Sequence, residues 1–135
     1  MKVLTIKEPY ATLIKSKIKY IETRSWKTNY RGELYIQAGS AKIDKEVKLQ
    51  KELFELYKDK ELEYGKIICK CNLVDCVYMT KEYIEKEKYN NYENFIAGNY
   101  KEGRYAWILE DIIEIEPIPV KGQLGIWNYK GEKEL

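Results

Sequence analysis

The segment from Lys17 to Arg31 concentrates the side chains best able to do chemistry: Lys17, Lys19, Glu22, Arg24, Trp26, Lys27, Tyr30 and Arg31. Arg24 and Arg31 each offer a planar fork of donors suited to a phosphate or a base edge, while Lys17, Lys19 and Lys27 act as point charges. Tyr10, Trp26, Tyr30 and Tyr105 add flat faces on which an unstacked base can lie, a contact of about 1–3 kcal/mol per base. Cations interleaved with aromatics suit single-stranded RNA, because a splayed base needs a surface and its phosphate a counter-charge. Glu22 is the exception, since a carboxylate repels phosphate. It can pair with Arg24, two residues along the same strand face, as a structural ion pair. It can also accept from an exocyclic amine, as acids do from cytosine, or join a catalytic or metal-holding set.

Histidine is absent. That removes Ser-His-Asp triads, Cys-His pairs and His-x-x-x-His metal helices, and leaves acid–base work to Lys, Glu, Asp, Tyr or water. Cys69, Cys71 and Cys76 are odd in number and lack Cys-x-x-Cys spacing. Cys69 and Cys71 would point the same way on a strand and read as reduced core or half-buried thiols, not as a zinc site. No metal ligands are assigned and no cofactor is required. The net charge of +2 is unevenly spread, residues 1–32 carrying +6 and the remainder −4. An anion-facing patch near the N-terminus and an ordinary solvated surface both fit that asymmetry.

The 135 residues, 44% hydrophobic and 34% charged, suit one domain with its own core. There is no apolar run of 18 residues and no signal-peptide h-region at Met1 to Glu8, so a cytoplasmic location without membrane contact is expected, as is a monomer. Val3, Thr5 and Lys7 alternate with Leu4 and Ile6 in a first strand, and Pro9 opens a short helix with Tyr10, Leu13 and Ile14 at helical spacing. Lys19 to Trp26 reads as extended, with Ile21 and Thr23 on one face and Tyr20, Glu22, Arg24 and Trp26 on the other. Lys19 has the wrong parity to meet Glu22 unless the preceding turn twists it inward.

Asn29 to Gly32 forms a turn into a strand of Leu34, Ile36 and Ala38, followed by an amphipathic helix from Ile43 to Tyr57 with Asp44 as N-cap. A central strand runs from Ile67 towards Val77, and Thr80 caps a helix over Lys81 to Glu87. A polar, tyrosine-rich stretch reaches Tyr100. A strand from Tyr105 ends where Pro117 and Pro119 break the ladder, and Gly125 to Trp127 closes the chain. Trp107 and Trp127 read as core.

Three segments carry a resemblance. Leu4 to Ala11 leads into Lys19-x-x-Glu22-x-Arg24-Ser25-Trp26-Lys27-Thr28-x-Tyr30-Arg31-Gly32, followed later by Gly103-Arg104-Tyr105-Ala106-Trp107-Ile108-Leu109 and Lys121-Gly122-Gln123-Leu124-Gly125-Ile126-Trp127. Together they resemble the ASCH family, whose signature is Gly-x-Lys-x-x-Glu-x-Arg; the signature glycine is Lys17 here. The resemblance implies an α+β fold, a PUA-like mixed or antiparallel β-barrel of about six strands flanked by two or three helices. It also implies a cleft where the Lys-Glu-Arg residues cluster, and an RNA or nucleotide-like ligand in RNA metabolism or regulation.

Alternatives within the same resemblance stay open. Some ASCH relatives look like amidohydrolases of N4-acetylcytidine using a lysine, a threonine and a glutamate; the lysine falls on Lys19, but the threonine position is Glu22. Lys19 and Glu22 are therefore the candidate catalytic residues. Others are described as metal-dependent ribonucleases, for which Glu22 with Glu110 or Asp111 could hold a divalent ion. A protein-interaction module of a coactivator-type complex is the remaining reading.

Overall fold

The computed structural model describes residues 1–131. Six strands, β1 (Lys2–Ile6), β2 (Ile21–Arg24), β3 (Gly32–Ala38), β4 (Lys66–Tyr78), β5 (Tyr105–Pro119) and β6 (Ile126–Asn128), form one sheet. Their order is β2-β5-β4-β3-β1-β6, and the sheet curls into a half-barrel. β1 runs parallel to β3 and every other pairing is antiparallel, so the sheet is mixed. β4 is central, between β3 and β5, as its continuous apolar face requires.

The core follows the alternation in the sequence. Leu34, Ile36 and Ala38 of β3 and Trp107 and Leu109 of β5 point inward with Leu4, Ile6 and Cys69. Helix α1 (Tyr10–Lys15) packs against β3, β4 and β5. Its Ala11 and Ile14 enter that core. From another face Leu13 joins Leu53, Tyr57 and Ala97 in a second cluster. Each such aliphatic side chain contributes roughly 1.5–3 kcal/mol by leaving water. Pro9 occupies the cap position, one residue before the helix.

Four expectations need correction. The helix over Ile43 to Tyr57 is two, α2 (Lys45–Lys48) and α3 (Lys51–Tyr57), because Gln50 is extended between them. The six-residue gap from Val47 to Leu53 loses helical phase, and the break turns Leu53 and Tyr57 inward while leaving Leu49 and Phe54 exposed. Asp44 stands at the cap position but its side chain makes no capping bond.

Thr80 does cap α4 (Lys81–Asn90), its Oγ1 accepting from the Tyr83 amide. The tyrosine-rich stretch contains a further helix, α5 (Tyr92–Ile96), so the described residues hold five helices, not two or three. Finally, Pro117 and Pro119 do not break β5, which pairs with β4 through Pro119. Beyond Ile108 β5 has no second neighbour, so a proline whose nitrogen faces the open side costs no ladder bond.

Candidate functional site

The site begins where α1 ends. After Ser16 the backbone of Lys17 turns left-handed, with φ 66°, and the amides of Ile18 and Lys19 both reach back to the Leu13 carbonyl at 3.1 and 3.0 Å. Glycine is the residue that takes this conformation without cost, which gives the family glycine a physical reason. The reversal sends Lys19 inward, so the parity that would separate it from Glu22 on a continuous strand does not apply.

Lys19 is only 1% exposed. Its Nζ donates to the Ala97 carbonyl at 2.6 Å and the Ile21 carbonyl at 2.8 Å. It lies 3.4 Å from Glu22 Oε1 and 5.6 Å from the centre of the Tyr10 ring. Three acceptors thus match the three hydrogens of the ammonium. Burial pulls the Lys19 ammonium below its ordinary value, with Glu22 opposing the shift. Burial, and next the Glu22 charge, raise the Tyr10 hydroxyl, which therefore stays neutral.

Glu22, 7% exposed, is shared between two cations. Its Oε2 is 3.1 Å from Arg24 Nε, in an approach too oblique to make a hydrogen bond. Arg24 Nη2 donates to the Thr5 carbonyl at 3.0 Å, tying β2 to β1 across the open seam of the half-barrel. Its Nη1 has no partner among the described residues. The guanidinium also lies 6.0 Å from the Trp107 ring. Trp107 is fully buried and donates from Nε1 to the Trp26 carbonyl at 3.3 Å. Trp26 meets it edge-on at 4.7 Å and stays 40% exposed.

Tyr10, Lys19, Glu22, Arg24 and Trp26 line a seam cavity of about 540 Å³. Lys7, Lys19, Arg24 and Arg104 contribute cations to its lining and Glu22 the carboxylate. One rim is the loop Gln123 to Gly125, whose base is held by a partly buried polar chain. Trp127 Nε1 donates to Thr5 Oγ1 at 3.0 Å, Thr5 Oγ1 to Gln37 Oε1 at 2.6 Å, and Gln37 Nε2 to the Val120 carbonyl at 2.7 Å.

Of the residues singled out in the sequence, Tyr10, Lys19, Glu22, Arg24 and Trp26 come together in this cavity. Lys17 and Lys27 are exposed and lie outside its lining. Arg31 also lies outside: its Nη1 donates to the Thr28 and Tyr30 carbonyls at 3.0 and 2.8 Å, and its Nη2 is 3.9 Å from Asp75. Tyr30 donates its hydroxyl to the Glu33 carbonyl. Tyr105, cross-strand from Arg24, packs edge-on with Tyr78 at 5.6 Å and does not line the cavity.

Glu110 and Asp111, considered with Glu22 around a divalent ion, are exposed further along β5 and lie outside the lining. The β2–β5 register sets Trp107, not an acid, opposite Glu22. Asp111 instead accepts from Asn72 Nδ2 at 3.0 Å. Among the described residues no group of three or more Asp, Glu or Cys side chains could hold a metal ion.

Sequence reasoning missed Arg104, Asn99, Thr5 and the Gln123–Gly125 rim. Arg104 Nε donates to the Asn99 carbonyl at 2.9 Å and its Nη2 to the Thr23 carbonyl at 3.2 Å. Its position just before Tyr105 was the available signal. Asn94 of α5, 3% exposed, was missed too. Its Oδ1 accepts from the Tyr20 and Ile21 amides at 2.8 and 3.2 Å and so holds β2 in place.

A curled mixed sheet with Lys19, Glu22 and Arg24 clustered in its seam defines the class. The ASCH domain model matches residues 4–119, and the chain belongs to the ASCH domain family. Human Activating signal cointegrator 1 is 27% identical over 133 residues, covering 93% of this chain and 22% of that protein. The mouse protein of the same name is 26% identical over 127 residues, with the same coverage of 93% and 22%. The chain therefore spans about a fifth of the length of these curated relatives.

Among solved structures, an ASCH protein from Zymomonas mobilis superimposes with a TM-score of 0.55 at 17% identity, covering 87% of this chain and 72% of that one. A point mutant of the Zymomonas mobilis protein gives 0.52 at 15% identity, with 87% and 74% covered. At these identities the likeness concerns the fold. No helix among the described residues is long and apolar enough to cross a membrane.

Proposed function

We propose that this protein binds single-stranded RNA or a nucleotide-like ligand in the seam cavity, in RNA metabolism or regulation. The observation that carries the reading is the juxtaposition of the exposed Trp26 ring with Arg24, whose Nη1 is unused, beside a carboxylate already neutralised by two cations. Glu22 alone would repel a phosphate. Held between Lys19 and Arg24, it orients the guanidinium and leaves the lining with positive charge from Arg104 and from Lys7, whose Nζ stands 3.6 Å from Asp44 Oδ2 at the surface. The cavity volume, about 540 Å³, falls in the range of small-ligand sites, ~300–1,000 Å³, and suits a splayed nucleotide, not a duplex.

The geometry favours binding over hydrolysis. A catalytic lysine needs a free lone pair or a donor turned to the substrate, whereas the acceptors of Lys19 all lie within the protein. Binding is tested by fluorescence anisotropy of a labelled single-stranded RNA across a salt series, for the wild type and for Arg24→Ala and Trp26→Ala. Salt-dependent binding lost in both variants supports the proposal; binding unchanged by either removes its basis. Incubating labelled RNA with magnesium or manganese, and N4-acetylcytidine alone, tests hydrolysis directly, and both substrates are expected to survive. Protein partners retained after nuclease treatment would favour an interaction module instead.

A further inference from the structure

The shape of the cavity extends the proposed function, on which this inference rests. β2 is an edge strand, paired with β5 alone. In an antiparallel pair the backbone groups of successive residues face the partner and away from it in turn. Tyr20 O accepts from the Leu109 amide at 2.9 Å, so the even-numbered residues face β5 and Ile21 and Thr23 turn their backbone to the free edge. The carbonyls on that edge are both taken by cationic side chains, Ile21 O by Lys19 and Thr23 O by Arg104.

The side chains of β2 diverge across this edge. Glu22 and Arg24 turn towards Lys19 and the Thr5 carbonyl of β1. Thr23 turns the other way, its Oγ1 accepting from the Asn99 amide at 3.0 Å. Yet Glu22, Thr23, Arg24 and Ser25 all line one cavity, together with Asn99 and Arg104. A cavity bordered by both faces of a strand has to wrap round its edge. Its lining therefore runs from Arg24 and Trp26 on one face to Arg104, beside the Thr23 and Asn99 carbonyls at the free edge, and these two ends are called its lobes. Each guanidinium keeps an Nη1 with no partner among the described residues.

We infer that the cavity is a two-nucleotide site: a base and its phosphate occupy the Arg24–Trp26 lobe, and the strand crosses the edge of β2 so that the next phosphate meets Arg104. The ligand class is then a single-stranded oligonucleotide, and a mononucleotide fills only half the site. Double-stranded RNA cannot follow this path, because the strand must part from its complement to round the edge.

The test compares cytidine 5′-monophosphate with a randomised single-stranded RNA hexamer, the first read by the change in tryptophan emission and the second by anisotropy over a salt series. Arg104→Ala should weaken the hexamer about tenfold. It should also flatten the slope of log affinity against log salt by about 0.7, the contribution of one phosphate on a single strand. Mononucleotide affinity should fall by less than that of the hexamer. Arg24→Ala should weaken both ligands.

Arg104 also braces the Asn99 loop, so Ser25→Glu is the control. Ser25 is exposed and lines the cavity, and a carboxylate there should repel the hexamer while leaving every Arg104 hydrogen bond in place. Arg104→Lys should restore the salt slope. If Arg104→Ala and Ser25→Glu leave the hexamer slope unchanged, or if the mononucleotide suffers the same loss as the hexamer, the two-lobe assignment is wrong while the binding reading stands. If the wild type binds neither ligand, both fall together.

Discussion

Replacing Lys19 by methionine probes the part of the site that is fully inside the protein. Methionine has nearly the same length and volume, so the packing against Tyr10 is kept and only the ammonium goes. Two carbonyls, Ile21 O at 2.8 Å and Ala97 O at 2.6 Å, lose their cationic donor. A buried acceptor left unpaired costs ~1–3 kcal/mol, so the pair costs roughly 2–6 kcal/mol. Removing a buried ammonium returns part of this, because its desolvation no longer has to be met, and Glu22 keeps Arg24 as counter-ion at 3.1 Å.

A net loss of about 2–4 kcal/mol follows. With an unfolding entropy of ~2.1 cal/mol/K per residue, that is a fall in Tm of roughly 7–14 °C for a chain of this length. The pH dependence gives a second readout. Lys19 is depressed in the folded protein relative to the ordinary 10.5, so between the folded value and 10.5 the unfolded chain binds more protons. Wild-type stability therefore gains from this group as pH rises through that window, and the variant lacks the gain. The deficit of Lys19→Met should widen on approaching pH 10.5. Differential scanning fluorimetry with urea titrations at several pH values measures both. A Tm within about 2 °C of wild type, or a deficit that narrows with pH, would refute the reasoning.

Other outcomes follow from the same geometry. Lys17→Gly should raise stability by about 0.5–1 kcal/mol, roughly 2–4 °C in Tm, because relief of the left-handed backbone outweighs the flexibility glycine adds to the unfolded chain. Gly122→Ala should cost about 1–3 kcal/mol in chemical denaturation. A Cβ there would stand 2.9 Å from Thr5 Oγ1 and press on Gln37 Oε1, disrupting the chain that holds the rim. In the folded protein a thiol reagent at pH 8 should modify the half-exposed Cys76 alone. Cys69 and Cys71 are buried, and burial pushes the Cys71 thiol up to about 12 and Cys69 further, so both should react only on unfolding.

The strands were legible because most of them bury one face, and Leu34, Ile36 and Ala38 or Cys69, Cys71 and Leu73 mark that face at period two. Tyr10, Lys19, Glu22, Arg24 and Trp26 were legible as a cluster because a short stretch of chain supplies all but one of them. What was not legible came from distant segments or from loss of periodicity. Arg104 and Asn99 reach the cavity because the β2–β5 register brings the start of β5 beside the end of β2, and that register is not written in either strand alone. α5 carries little apolar periodicity, yet it supplies Asn94 and leads to the Ala97 carbonyl that holds Lys19. Conversely, Lys17, Lys27 and Arg31 counted as ligand residues on proximity in the chain, but all three lie outside the lining, Lys17 on the left-handed turn and Arg31 bonded to the Thr28 and Tyr30 carbonyls.

The most direct measurement is the affinity of a labelled single-stranded RNA for wild-type protein and for Arg24→Ala, from low to moderate salt, with folding of both checked by thermal denaturation. Binding that weakens linearly in log salt, and that falls about 10- to 100-fold in Arg24→Ala while the fold is retained, is the predicted result. Binding that is absent, insensitive to salt, or equal in the two proteins would contradict an RNA-binding role for the seam cavity.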